Sequence, residues 1–321
     1  MPFNSLVSRS DVVIPDEVSS VIIKNVTAKN PILSLARRLP NMSASARSMP
    51  VMSALATAYF VSGDTGLKQT SEVNWTNKFI HAEELAVIVP IPENVLDDTN
   101  YDIWGETRPA VEEAIGVAIA QAILYGTNIP AQWTTDLGAA GIVAGATAAS
   151  QVLSAAAYAD LYEAVLGETA GGVAGVFMAV EADGFAVTGS VAHPLMKGKL
   201  RNLRASDGMP IFKTSMQQVA GYELDGTPIY FPNDGSIVSG SSWMVSGQWD
   251  QLVYSIRKDI TYKILTEAVI QDAAGNIIYN LAQQDMVALR AVIRLGFALP
   301  NPINRMNQVA ASRYPFAVLT A

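Results

Sequence analysis

The chain holds two histidines, His81 and His193, and they are the natural place to look for chemistry. A zinc-type site places a second ligand one helical turn away, but His81-Ala82-Glu83-Glu84 has no second histidine and lies in an alternating, strand-like stretch. A packing or surface role is expected for both histidines, and no metal. The carboxylate pairs Glu83/Glu84, Asp97/Asp98 and Glu112/Glu113 are adjacent in sequence. Neighbours diverge on a helix and face oppositely on a strand, so they make poor acid–base couples. Gly138, Gly141 and Gly145 recur in an Ala-rich stretch that reads as flexible backbone, and no phosphate-loop, dinucleotide or nucleophile-elbow motif occurs. Lys197, Lys199, Arg201 and Arg204 form a basic cluster suited to phosphate or, in an acidic chain, to a salt-bridged surface between subunits. With no cysteine, disulfides and thiolate catalysis are excluded, and a reducing compartment is compatible. No catalytic group, cofactor or metal is expected.

Composition points toward buried surface. Of 321 residues, 50% are hydrophobic and 16% charged, with a mean hydropathy of +0.24. Either one chain buries itself unusually well, or large surfaces close against other chains. No apolar run reaches the ~18 residues of a membrane span, and the N-terminus lacks the apolar core of a signal peptide. The net charge of −8 argues against a chain that grips nucleic acid; around DNA it would be a container.

The elements that must position any surface are legible by period. Leu252, Tyr254, Ile256, Ile260, Tyr262 and Ile264 alternate with Ser255, Arg257, Asp259, Thr261 and Lys263. Val287, Leu289, Ala291, Ile293, Leu295 and Phe297 then fall opposite Arg290 and Arg294. Two long antiparallel strands joined through a turn at 272–276 are predicted, forming a platform. Residues 46–92 read as a long hairpin: a strand over 49–61, a turn at 62–66, then alternation through Val73, Trp75 and Phe79, and a β-rich run over 85–91. A two-stranded arm is marginal alone and makes sense lying across a neighbour. Val111, Ile115, Ile119 and Ile123 set a helix expected to start near Thr107 and stop at Gly126. Residues 1–41 read as an arm with short helices over 18–26 and 32–39. Residues 127–150 read as loop, 155–166 as helix, 173–180 as a buried strand, and 194–203 as a basic helix.

One block carries a family resemblance. Gly247-x-Trp249, a long strand with Arg257-Lys258-Asp259, and Asp285-x-Val287-Ala288-Leu289-Arg290-x-x-x-Arg294 running into Pro300 resemble the major capsid protein of tailed bacteriophages. The segments 91–98, 193–203, Gly208-x-Pro210 and 224–229 add to it, and their order covers nearly the whole chain. The resemblance implies an α+β Hong Kong 97-like fold: N-terminal arm (1–41), extended E-loop hairpin (42–92), spine helix (93–130), A domain (131–246), long P-domain strands (247–300), and a C-terminal segment (301–321) returning to the A domain. It implies self-assembly into hexamers and pentamers of an icosahedral shell enclosing double-stranded DNA without sequence-specific binding. The subunit would be made in the host bacterial cytoplasm and reside in the virion capsid, with no membrane partner. A portal, a decoration protein and a separate scaffolding protein or none are the implied partners, since no charged helical extension precedes the arm. Contact candidates are Lys68, Glu72, Trp75 and Phe79 on the hairpin and Arg257, Asp259, Arg290 and Arg294 on the platform. Some relatives cross-link an E-loop lysine to a P-domain asparagine. Lys68, Lys78, Asn276 and Asn280 match only in residue type, which does not carry that chemistry over. A cellular encapsulin-type compartment shares the fold and is the nearest alternative; a soluble α+β enzyme is the other, and no catalytic constellation supports it.

Overall fold

The computed structural model describes residues 31–61, 66–97, 103–167, 175–203 and 222–321, and of residues 97 and 103–106 the backbone alone. The expected helix over 18–26 lies outside these residues. In chain order the elements are α1 (Pro31–Leu35), β1 (Arg37–Arg38), β2 (Ala46–Met52), β3 (Trp75–His81), β4 (Glu83–Pro92), α2 (Glu93–Asp97), α3 (Ile103–Tyr125), α4 (Ala131–Leu137), α5 (Ile142–Ala148), β5 (Val152–Ser154), α6 (Leu161–Leu166), α7 (Val176–Ala182), β6 (Gly189–Ala192), α8 (Pro194–Asn202), β7 (Tyr222–Leu224), β8 (Thr227–Tyr230), β9 (Met244–Gly247), β10 (Val253–Leu265), β11 (Val269–Gln271), β12 (Ile277–Asn280), β13 (Met286–Ala298) and β14 (Phe316–Thr320).

They form two sheets and two hairpins. The platform sheet runs β1-β10-β13-β4, and a six-stranded sheet runs β5-β14-β9-β6-β8-β7. The long strands pair antiparallel from Val253↔Ala298 to Leu265↔Ala288, with two bulges between Ile256 and Thr261. Odd-numbered residues of β13 (Ala291, Ile293, Leu295, Phe297) join Ile115, Ile119 and Ile123 of α3 in one core. That core continues through Trp249, Val245, Phe316 and Val318 into the second sheet. Trp249 explains the Gly-x-Trp motif: it is fully buried between the sheets, its indole N–H donates to the Gly189 carbonyl at 3.0 Å, and its ring sits 5.1 Å from that of Phe316. A second core, including Phe177, Val180, Met196, Leu200 and Leu319, fills the other face of the six-stranded sheet.

Several local expectations are corrected. The helix expected over 32–39 stops at Leu35, because the amides of Arg37, Leu39 and Met42 donate to the carbonyls of Leu252, Tyr254 and Ile256 (2.8–3.0 Å) on the free edge of β10. The turn at 272–276 closes the small β11–β12 hairpin rather than joining the long strands directly. Clean alternation in β10 fails: Val253, Tyr254, Ser255 and Ile256 are all buried, and Ile264 is exposed, since the chain at 37–42 covers the outer face near Ser255, whose hydroxyl donates to the Pro40 carbonyl at 2.7 Å.

The hairpin ladder is shorter than expected. β2 and β3 pair from Ala46↔His81 to Met52↔Trp75. Beyond them the two arms stay together without a ladder, through Thr57 N to Ser71 Oγ (2.7 Å) and Tyr59 Oη to the Gln69 carbonyl (3.0 Å). The β-rich run at 85–91 leaves the hairpin and pairs with β13 from Glu83↔Leu295 to Pro92↔Met286.

Helix α3 begins at Ile103, earlier than the proline at 109 suggests, and ends where Gly126 takes φ 70°. A β-carbon on Gly126 would also lie 2.4 Å from the Ala140 carbonyl oxygen. Residues 127–150 are not loop. They hold α4 and α5, seven residues each, stabilised by burying Trp133, Leu137, Ile142 and Ala146 rather than by their own propensity. The expected strand at 173–180 is helix α7 where described: burial of Val176, Phe177 and Val180 with Met178 outward overrides the β-branched composition. The helix expected over 155–166 is regular only from Leu161, where the Asp160 side chain caps it by accepting from the Glu163 amide at 2.9 Å. No helix among the described residues is long and apolar enough to cross a membrane.

Candidate assembly surfaces

The hairpin has two unlike faces. Ile80 is buried against the body, with Lys78, Met49 and Val51 half-buried beside it. Trp75 and Phe79 fall on the opposite face of β3, 63% and 45% exposed, with Met52 across from Trp75. Large aromatic rings left in water on a two-stranded arm mark an interaction surface. Lys68 and Glu72 are exposed on the returning arm, and Glu72 accepts from the Asn74 side chain at 2.9 Å.

The outer face of the platform sheet, opposite α3, is cationic. Lys258 pairs across the strands with Arg294, and Lys263 with Arg290. Like charges directly opposite one another destabilise a sheet. Among the described residues Glu84 answers them there, its Oε2 lying 3.2 Å from Arg294 Nε. Arg290, Lys258 and Lys263 are exposed. Arg257 and Asp259 sit in the bulged part of β10, half-buried, and Asp259 Oδ1 has no hydrogen-bond partner among the described residues. Within one subunit, then, the structure gathers Arg290 and Arg294 on one face and Trp75 and Phe79 on another.

Sequence reasoning missed the joint between hairpin and body. The Asp136 carboxylate on α4 is almost completely buried, accepts from the His81 backbone amide at 2.8 Å, and lies 2.9 and 3.0 Å from His81 Nδ1. Trp133 Nε1 donates to the His81 carbonyl at 2.9 Å. Gly296 of β13 passes so close that a β-carbon there would sit 2.4 Å from that same carbonyl oxygen. His81 is thus the root latch of the hairpin. His193 plays a different part, because its Nδ1 accepts from the Leu195 amide at 3.1 Å and caps α8.

The basic helix α8 is built with aromatics. The Lys197 ammonium stands 4.2 Å from the centre of the Tyr222 ring and the Lys199 ammonium 3.7 Å from that of Trp243. Hydrogen bonding from Lys197 lowers the Tyr222 phenol below its ordinary range. Among the described residues no group of three or more His, Asp or Glu is arranged to hold a metal. Under the platform, burial and then the nearby Glu112 carboxylate push the Tyr262 phenol up to about 12.

The chain thus joins a two-stranded hairpin with exposed aromatics to a charged four-stranded sheet and a second, six-stranded mixed sheet. The phage capsid family profile matches residues 10–304, so the chain belongs to the phage capsid family. It is 25% identical over 296 residues to the major capsid protein of Staphylococcus phage 80alpha, covering 89% of this chain and 82% of that one. A solved structure from Microbacterium phage Oxtober96 is similar with a TM-score of 0.76 at 34% identity, covering 97% of this chain and 94% of the other. One from Mycobacterium phage Cain has a TM-score of 0.74 at 28% identity, covering 91% and 90%. The fold is α+β and Hong Kong 97-like.

Proposed function

We propose that this chain is the major capsid protein of a tailed phage, whose copies associate into the icosahedral shell of the virion. A cellular compartment shell is not favoured, because the family and the relatives are those of phages. The observation that carries the reading is the hairpin, whose Trp75 and Phe79 are solvent-exposed in the single chain. Laid over the platform of a neighbour, that face buries its rings, and the Glu72 carboxylate can meet the cations at Arg290 and Lys263. The charges described on the hairpin are Arg47, Lys68, Lys78 and Glu72, more basic than acidic. Apolar burial therefore supplies affinity at this contact, and charge sets alignment. Lys68, Arg257, Asp259 and Arg294 complete the set of contact residues.

In this reading residues 46–81, rather than the whole of 42–92, leave the body as the overlapping arm, because β4 pairs with β13 in the platform; 83–130 and 247–300 make the peripheral part, and 131–246 with the returning 301–321 make the axial part around which hexamers and pentamers close. A net charge of −8 fits a container that holds double-stranded DNA without gripping its sequence. A portal, a separate scaffold or none, and a decoration protein are its further partners, and synthesis takes place in the bacterial cytoplasm. The test is Trp75→Asp with Phe79→Asp, alongside Lys68→Glu and Arg294→Glu. The aromatic pair should abolish closed particles, and each charge reversal should impair closure, with far-UV circular dichroism unchanged. Normal particles from all of them would reject the proposed contacts.

A further inference from the structure

Residues 299–314 connect β13 to β14 and touch three parts of the molecule on the way. At the start, the Leu299 amide donates to the Asp136 carbonyl at 3.1 Å. The segment then reaches the hairpin at the last rung of its ladder and beyond it: Ile303 N donates to the Met52 carbonyl at 3.4 Å, and Arg305 Nη2 to the Ala56 carbonyl at 2.7 Å. Finally it crosses the end of α7. There Asn304 Nδ2 donates to the Asp183 carbonyl at 2.7 Å and Asn307 Nδ2 to Asp183 Oδ1 at 2.7 Å.

Asp183 is a built anchor. It is buried, and its other oxygen accepts from the Tyr314 amide at 2.9 Å and from Gln151 Nε2. Arg313, also buried, ties the segment to itself by donating to the Asn301 carbonyl at 3.1 Å, the Asn301 side chain at 3.2 Å and the Asn307 carbonyl at 3.0 Å. Met306 packs over Gly184, where a β-carbon would come within 2.8 Å of it. Beneath the segment is a cavity of about 510 Å³ lined by Val51 and Lys78 of the hairpin, Gly145 and Ala148 of α5, and Ala310 and Ala311 of the segment itself.

We propose that residues 299–314 form a strap coupling the angle of the hairpin to the six-stranded domain. This goes beyond the shell assignment and does not depend on it. A rigid arm has its direction defined by two points of attachment. The root latch at His81 is one, and the strap at Met52 and Ala56 is the other. The strap's far end is held by the buried Asp183 carboxylate, both of whose oxygens accept hydrogen bonds, while its grip on the hairpin uses backbone carbonyls of exposed residues. The cavity lets the hairpin tilt without unpacking either core, so the strap decides where it rests. Movement of the six-stranded domain is thereby passed to the arm.

The test uses the full chain, which has no cysteine, so Thr70→Cys with Glu223→Cys gives two clean spin-label sites. In the parent the label-to-label distance should be narrowly distributed. Asp183→Asn and Arg305→Ala should each broaden it and raise amide exchange at 53–57 by about tenfold or more, the scale of losing a local closing interaction. Asp183→Asn should also free the amides of 303–309, whereas Arg305→Ala should leave the end over α7 protected. Should Asp183→Asn loosen the whole six-stranded sheet, Asn304→Ala with Asn307→Ala removes the same anchor from the strap side. Freed strap amides with an unchanged hairpin distance, or an Arg305→Ala variant that leaves the hairpin as narrow as in the parent, would overturn the proposal.

Discussion

Replacing Asp136 by alanine strips the hairpin root of its acceptor. The carboxylate takes the His81 backbone amide at 2.8 Å and sits 2.9 Å from the ring nitrogen, in a site where its own side chain is 2% exposed and the His81 side chain 30%. Each buried donor left without a partner costs roughly 1–3 kcal/mol. The imidazole edge can turn to water and falls at the low end, while the backbone amide, pinned beside Trp133 and Gly296, cannot. The loss should total roughly 2–4 kcal/mol, a large share of a stability of roughly 5–15 kcal/mol. Asp136→Asn retains the volume and one carbonyl oxygen for the amide, so its cost should be about 1 kcal/mol, that of a single neutral hydrogen bond. Urea unfolding followed by tryptophan fluorescence reads this directly, since Trp133 is buried and donates to the His81 carbonyl. An Asp136→Ala variant within about 0.5 kcal/mol of the parent, the range of an inconsequential surface change, would refute the latch.

Two further outcomes follow from the same packing. Gly296→Ala should destabilise by about 1–3 kcal/mol in the same urea assay, because the added methyl meets the His81 carbonyl and the fully buried Ile80 side chain, neither of which has room to give. Alkaline titration should expose Tyr262: its folded pKa is raised to about 12, chiefly by desolvation. The unfolded chain therefore ionises it first, and the contribution present below the ordinary value near 10 is lost as pH rises toward 12. Tyr262→Phe should flatten the fall in stability over that window, and an unchanged alkaline profile would argue against this assignment.

What was legible in the sequence was what repeats locally. The period-two runs of β10 and β13 and the isoleucine spacing of α3 specify their own elements, whereas the Gly-x-Trp pair was readable only as a family motif and gave no sign that Trp249 is buried. Helices α4 and α5 were invisible because seven residues carry fewer than two full turns of periodicity, and their stability comes from Trp133 and Ile142 meeting distant partners. The run at 173–180 misled because β-branched residues bury equally well on a short helix. Arg290 and Arg294 were readable as platform charges. That each faces a lysine across the strand depends on a bulged pairing no local pattern encodes. Likewise His81 gave no sign of Asp136, which lies 55 residues away in sequence.

The proposed hairpin contact requires the exposed Trp75 and Phe79 rings to become buried when copies assemble. Cryo-electron microscopy of the purified full-length protein tests it most directly. The expected result is closed particles in which the β2–β3 hairpin of each subunit lies over the cationic sheet of its neighbour, with Trp75 and Phe79 out of solvent. Shells in which both rings still face water would contradict it, as would a protein that stays monodisperse and monomeric with and without its phage's other structural proteins.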